Sequence, residues 1–253
     1  KLVDPVQYTL PIGDEELAMN PLIGKKIKIT FEGEIHSIAS GEKITKSYAQ
    51  GFSYKELMTK ACCDICIVKP ELCHFADGTC REPEWGKANC FQPHIVYLSV
   101  SSQLKIGITR ESQVPTRWMD QGASYALPIM RVPDRLTSGL VEKQISSSYA
   151  DKTNWRKMLT NQREDTDLFN ARDQIFEDFE FLFDEFEIEE LESDLVEINY
   201  PVLEYPEKVK ALNLDKTSVI EGELRGIKGQ YLILDLGVLN IRKFQGYLVS
   251  VEF

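Results

Sequence analysis

HIVYLSVSSQLKIGITRESQVPTRWMDQGASYALPIMRVPDRLTSGLVEKQISS, residues 94–147, decides the fold. HIVYLSV (94–100) and LKIGIT (104–109) are apolar, β-branched runs separated by SSQ, a hairpin spacing. Pro115 opens a short helical stretch over 115–121. ALPIMRV (126–132) returns as a strand. Asp134 then stands as N-cap of a helix over 134–149, with Leu136, Leu140, Val141 and Ile145 in helical register. The order strand, strand, helix, strand, helix predicts a small mixed core.

Upstream, GKKIKITFEGEI (24–35) alternates apolar and polar side chains, the pattern of a half-buried strand or two. Downstream, Ile175, Phe179, Leu182, Phe183 and Phe186 share one face of an acidic helix expected over about 168–195. NYPVLEYPEK (199–208) reads as a linker, and from Val219 the chain turns β-rich with glycines at the turns. The chain is thus expected to be α+β, in three parts: an N-terminal β region with a cysteine-rich knuckle (1–93), a core (94–160), and an acidic helix with a small β-module (161–253).

All six cysteines fall between Cys62 and Cys90, together with His74, while His94 follows closely. Cys63 and Cys66 make a C-x-x-C turn, and Cys73, Cys80 and Cys90 lie near enough to complete a tetrahedral thiolate site of the kind Zn²⁺ favours. His74 and His94 are reserve ligands, and Cys62 is a bystander. An iron–sulfur cluster also takes four thiolates, and spacing alone does not choose between the two. Buried free thiols are the plain alternative.

The net charge of -11 is unevenly placed. Residues 1–160 carry 20 basic and 18 acidic side chains, and residues 161–253 carry 9 and 22. Residues 87–160 hold 10 basic against 5 acidic, so a polyanion site in the middle of the chain is compatible with the acidic whole. No apolar run is long enough to span a membrane. The start of the sequence lacks a basic-then-apolar export layout, so a cytoplasmic location and reduced thiols are expected.

Several stretches together resemble a bacterial domain-of-unknown-function family: CDIC…PELCHF…GTCREPEWG, HIVYLSV…LKIGITR…PTRWMDQGA, SGLVEKQ…DKTNW and GIKGQYLILDLGVLNIRKFQGY. That family's pattern carries a further pair of C-x-x-C knuckles upstream of Cys63. The matching positions here are Ser37 and Ser40, then Ser53 and Glu56, so the resemblance implies one metal rather than two.

More distantly, residues 94–160 resemble a GIY-YIG nuclease domain, with IVY (95–97) and KIG (105–107) at the two signature tripeptides. The resemblance implies Tyr97 as base, Arg117 on the first helix as charge stabiliser, Glu142 on the second as Mg²⁺ ligand, and Asn154 as a polar residue closing the site. Lys105 replaces the second signature tyrosine, and with Arg110 and Arg117 it would contact phosphate. A tyrosine base needs neighbouring cations, since its ordinary pKa is about 10. Taken singly, Tyr97 reads as core, Arg117 as an ion-pair partner and Glu142 as surface. Trp118 and Trp155 are weaker candidates for stacking on bases. Two functions follow: a Mg²⁺-dependent nuclease acting on DNA or RNA, or a silent nucleic-acid-binding module that keeps the fold. A protein-interaction adaptor is the third.

Overall fold

The computed structural model describes residues 1–147 and 154–253. The chain begins with a hairpin, β1 (Thr9–Ile12) and β2 (Glu15–Ala18), turned at Gly13, whose φ of 60° suits glycine. A long strand β3 (Lys26–His36) follows, then a two-residue strand β4 (Lys43–Ile44) and a helix α1 (Tyr54–Thr59). The cysteine-rich stretch is a chain of short 3₁₀ turns ending in α2 (Pro83–Cys90). Gly and Pro punctuation keeps this segment from forming longer elements.

The core then runs β5 (His94–Val100), β6 (Leu104–Arg110), α3 (Thr116–Asp120), β7 (Tyr125–Val132) and α4 (Arg135–Ser146). This is the element order read from the sequence. Asp134 caps α4 as expected, accepting from the Thr137 amide at 2.8 Å. Residues 148 and 149 of the expected helix lie outside the described residues. β5 is the central strand, paired antiparallel with β6 and β7, and every one of its residues is buried. Both faces of this strand are covered, which explains its nearly continuous apolar run.

After α5 (Trp155–Leu159), the acidic segment folds as α6 (Leu168–Asp178) and α7 (Phe181–Glu185), then two short strands, β8 (Glu189–Glu190) and β9 (Val196–Glu197). The single helix expected over 168–195 is therefore corrected: it breaks after Asp178 and ends at Glu185. The β7 edge supplies the reason. Its unpaired backbone groups need partners, and β8 and β9 pair with it antiparallel. The apolar face does what its pattern implied, with Ile175, Phe179 and Leu182 buried on the core sheet beside Val141 and Ile145. Each is worth roughly 1.5–3 kcal/mol of burial.

The last part is β10 (Val219–Lys228), β11 (Tyr231–Leu234), β12 (Gly237–Asn240) and β13 (Tyr247–Glu252). These strands join β3 in one antiparallel sheet of order β12-β11-β10-β3-β13, with β4 on β3. The first and third parts of the sequence division thus share a sheet, and β8 and β9 of the third extend the sheet of the second. Residues 199–208 are not a loose linker. Tyr200 is buried, its hydroxyl donates to Ala123 O at 2.8 Å, and Val202 bridges to Gly226. A Cβ on Gly226 would stand 2.6 Å from Val202 Cα, so only glycine admits this approach. Lys228, fully buried, lies over the rings of Tyr200 and Tyr205, and burial lowers its pKa to about 8.

Candidate functional site

Strand β6, helices α3 and α4, the 3₁₀ turn at Pro70–Leu72 and Arg242 of the β-module together line a cleft of about 770 Å³. The cleft gathers Lys105, Arg110, Arg117 and Glu142, four of the residues picked from the sequence. All four are half-buried. Seven Lys or Arg side chains and three Asp or Glu side chains line it, an excess of positive charge.

Tyr97 sits behind this surface. Its ring faces Gly107 across the β5–β6 pair, where a Cβ would come within 2.8 Å of the hydroxyl oxygen. Glycine at the third place of KIG therefore lets the tyrosine lie flat under β6. The Tyr97 hydroxyl donates to Gln121 Oε1 at 3.0 Å and is hydrogen-bonded with Arg117. Burial pushes its pKa up to about 12, the nearby Arg117 pulls it down, and Glu142 raises it again. Tyr97, Arg117 and Glu142 thus converge electrostatically, but the hydroxyl is fully buried and stays neutral near pH 7.

His94 lines the same cleft rather than the cysteine cavity. Its Nδ1 lies 2.7 Å from Gln92 O, and its buried Nε2 has no partner among the described residues. Burial lowers its pKa to about 4. Asn154 is spent elsewhere: its Oδ1 caps α5, accepting from the Arg156 and Lys157 amides, both at 3.2 Å. Trp118 is core, edge-on to Tyr97 at 5.8 Å. Trp155 stacks on Tyr231 at 5.8 Å and carries Arg156 on its ring.

Lys69, Arg135 and Arg242 are basic residues of the cleft that sequence reasoning missed. Arg135, Gly139 and Glu142 repeat at four and three residues, so helical periodicity alone places them on one face of α4. Arg242 is brought in by the tertiary fold, and no local signal marks it.

Residues 67–71, within the cysteine-rich segment, build one wall of the cleft. Cys66, Cys73, Cys80 and Cys90 line a cavity of about 20 Å³, room for one atom-sized guest. Cys63 stands apart, hydrogen-bonded with Cys62, and burial raises its pKa to about 12. Of the expected C-x-x-C pair, only Cys66 reaches the cavity. Burial also pushes Cys66 up to about 11 and raises Cys90, so without a cation these thiols remain protonated. Asp64, Cys66 and His74 also bring ligand atoms within 4.8 Å of one another, a group able to hold a metal ion. In that group the Asp64 carboxylate already meets Arg81 Nε at 2.6 Å and the Ile65 amide at 2.6 Å, while His74 Nδ1 lies 2.7 Å from Thr79 Oγ1.

The cysteine wall is pinned to α4. Arg135 donates to the carbonyls of Cys66 and Ile67, and a Cβ on Gly139 would stand 2.5 Å from Pro70 Cβ. Upstream, Ser37, Ser40, Ser53 and Glu56 also converge. The Ser37 hydroxyl donates to the Glu56 carboxylate, with Oε1 at 2.8 Å and Oε2 at 2.7 Å, and the Ser53 amide donates to Oε2 at 2.7 Å. The Ser37 and Ser53 bonds, in that order, hold Glu56 down at a pKa of about 2.

Among the described residues, no helix is long and apolar enough to cross a membrane. No curated protein and no solved structure matches the chain. A family model matches residues 24–249, which span the β3 sheet, the cysteine-rich segment and the cleft, and by it the chain belongs to the family described as proteins of unknown function, DUF2797.

Proposed function

We propose that the cleft binds the phosphate backbone of a nucleic acid, in a module that keeps a GIY-YIG-like ββαβα frame. The carrying observation is the gathering of Lys105, Arg110 and Arg117 in one basic cleft of an otherwise acidic chain. Phosphates are recognised by such clustered cations, and each contact releases counterions. The acidic C-terminal part repels polyanion elsewhere and confines contact to this face. In the same reading Cys66, Cys73, Cys80 and Cys90 hold one structural Zn²⁺. Asp64 and His74 line the same cavity and with Cys66 form the group whose ligand atoms already lie within 4.8 Å of one another, but both have partners, and the four soft thiols would have to draw together around the ion.

Phosphodiester hydrolysis is the second reading, favoured by the approach of Arg117 and Glu142 to the Tyr97 hydroxyl. Glu142 is then the carboxylate that would hold Mg²⁺. The buried, neutral Tyr97 hydroxyl argues for binding without cleavage, since a base must reach the water it activates.

One assay separates these readings, using dye-labelled single- and double-stranded oligonucleotides. Binding should weaken steeply with salt, and Arg117→Ala should reduce the slope of log affinity against log salt by about one. Glu142→Gln should bind as tightly or slightly tighter, because it removes a negative charge near phosphate. Cleavage in Mg²⁺ or Mn²⁺ that Glu142→Gln abolishes would establish the nuclease. No binding at low salt would defeat both readings and leave the interaction adaptor.

A further inference from the structure

A second cavity, of about 530 Å³, opens beside the cleft. Its interior is apolar, built by Ile29, Leu232, Phe244 and Val249 of the β-module and roofed by Leu10 and Ile12 of the β1–β2 hairpin. Its polar groups are few, and they include Tyr8, Asp120, Gln230 and Arg242. Asp120 and Arg242 also line the basic cleft, so the two cavities share these residues as a common wall.

That shared wall is chemically unusual. The Asp120 carboxylate is hydrogen-bonded with Gln230, and burial raises its pKa against the pull of Arg242 and Arg117. The Tyr8 hydroxyl is buried without a side-chain hydrogen-bond partner among the described residues, and the Gly229 backbone beside it is the polar group that acts on it. A buried, unpartnered hydroxyl costs free energy until a ligand satisfies it. A purely aliphatic guest would leave these polar groups unused. A flat heteroaromatic ring with a hydrogen-bonding edge satisfies them, and the cavity volume lies in the range of small-molecule sites.

We infer that an unpaired nucleobase of the strand held in the cleft enters this cavity, its ring among the apolar side chains and its polar edge toward Tyr8, Asp120 and Gln230. The inference rests on the nucleic-acid reading above and deepens it. A base stacked inside a duplex must be extruded to reach such a site, which costs unstacking and unpairing. The cavity therefore selects single-stranded or mismatched segments.

The test uses a single-stranded oligonucleotide carrying one 2-aminopurine and a terminal dye, and the same 2-aminopurine paired within a duplex. Dye anisotropy reads backbone binding, and 2-aminopurine emission reads entry of the base. The full chain should shift both signals with the single strand, and bind the fully paired duplex at least about tenfold more weakly. Ile12→Trp, on the half-exposed hairpin, should fill the cavity and remove the emission change while leaving the salt dependence of anisotropy intact. Tyr8→Phe should weaken single-strand binding about fivefold, the worth of one net hydrogen bond, while the free chain melts no lower than the unmodified protein. Saturated anisotropy with no emission change, or an emission change that survives Ile12→Trp, would overturn the base site and leave the backbone reading standing. No anisotropy change at low salt would overturn both.

Discussion

Two clusters in the first 90 residues close neighbouring loops by different chemistry. Ser37, Ser53 and Glu56 hold one another by hydrogen bonds of 2.7–3.2 Å around a single carboxylate. Cys66, Cys73, Cys80 and Cys90 line a small cavity, where burial pushes the Cys66 thiol up to about 11 and raises Cys90. The first cluster is complete with its own atoms. The second, under the zinc proposal, takes a cation to turn its thiols into ligands, and its folding and metal binding would then be one equilibrium. The four upstream positions are those where the family resemblance calls for cysteines, and here Ser37 and Glu56 make the cross-link instead. The thiol cluster also carries a cleft wall, through Arg135 and the close seat of Pro70 on Gly139.

The largest break in this comparison should come from Cys73→Ser. It should lose most of the metal, open residues 61–91 to limited proteolysis, and weaken oligonucleotide binding by tenfold or more, because Lys69 and the Pro70 wall lose their position. Glu56→Ala should leave metal content unchanged. It strands the Ser37 hydroxyl and the Ser53 amide, and should cost about 1–3 kcal/mol in chemical denaturation. The smallest effect is on pH dependence. Glu56 has its pKa lowered from 4.5 to about 2 in the folded chain. Its contribution is therefore fully present above about 4.5 and lost as pH falls toward about 2. Metal affinity at a thiolate site also falls on acidification, but at higher pH, because protons compete for the ligands. At pH 5 a metal-release assay should find the thiol cluster giving up its ion while Glu56→Ala still costs nearly its full amount.

The core was legible because its signals are local. The SSQ spacing, Pro115 and the Asp134 cap each act within a few residues, and they place β5 through α4. The joining of β3 to β10 and β13 was not, because Ile29 meets Ile220 and Val251 across nearly the whole chain and no short pattern encodes that pairing. Lys105, Arg110, Arg117 and Glu142 were readable, since each sits at a fixed offset on a recognisable element. Arg242 was not, because it reaches the cleft only when the β-module docks. The GIY-YIG resemblance put Asn154 at the site, yet an Asn directly before a helix is more simply its cap. Cys63 looked like a ligand through its C-x-x-C spacing. The 3₁₀ turns over Ala61–Cys63 and Ile65–Ile67 separate the two thiols instead.

The proposed metal-closed thiol cluster and the proposed phosphate-binding cleft stand or fall together. The most direct measurement follows metal content and oligonucleotide anisotropy together as a chelator is titrated into the full chain. About one zinc per chain is expected, with affinity falling as that single equivalent leaves and returning when zinc is restored. Two equivalents, none, or binding that persists unchanged after the metal is gone would contradict it.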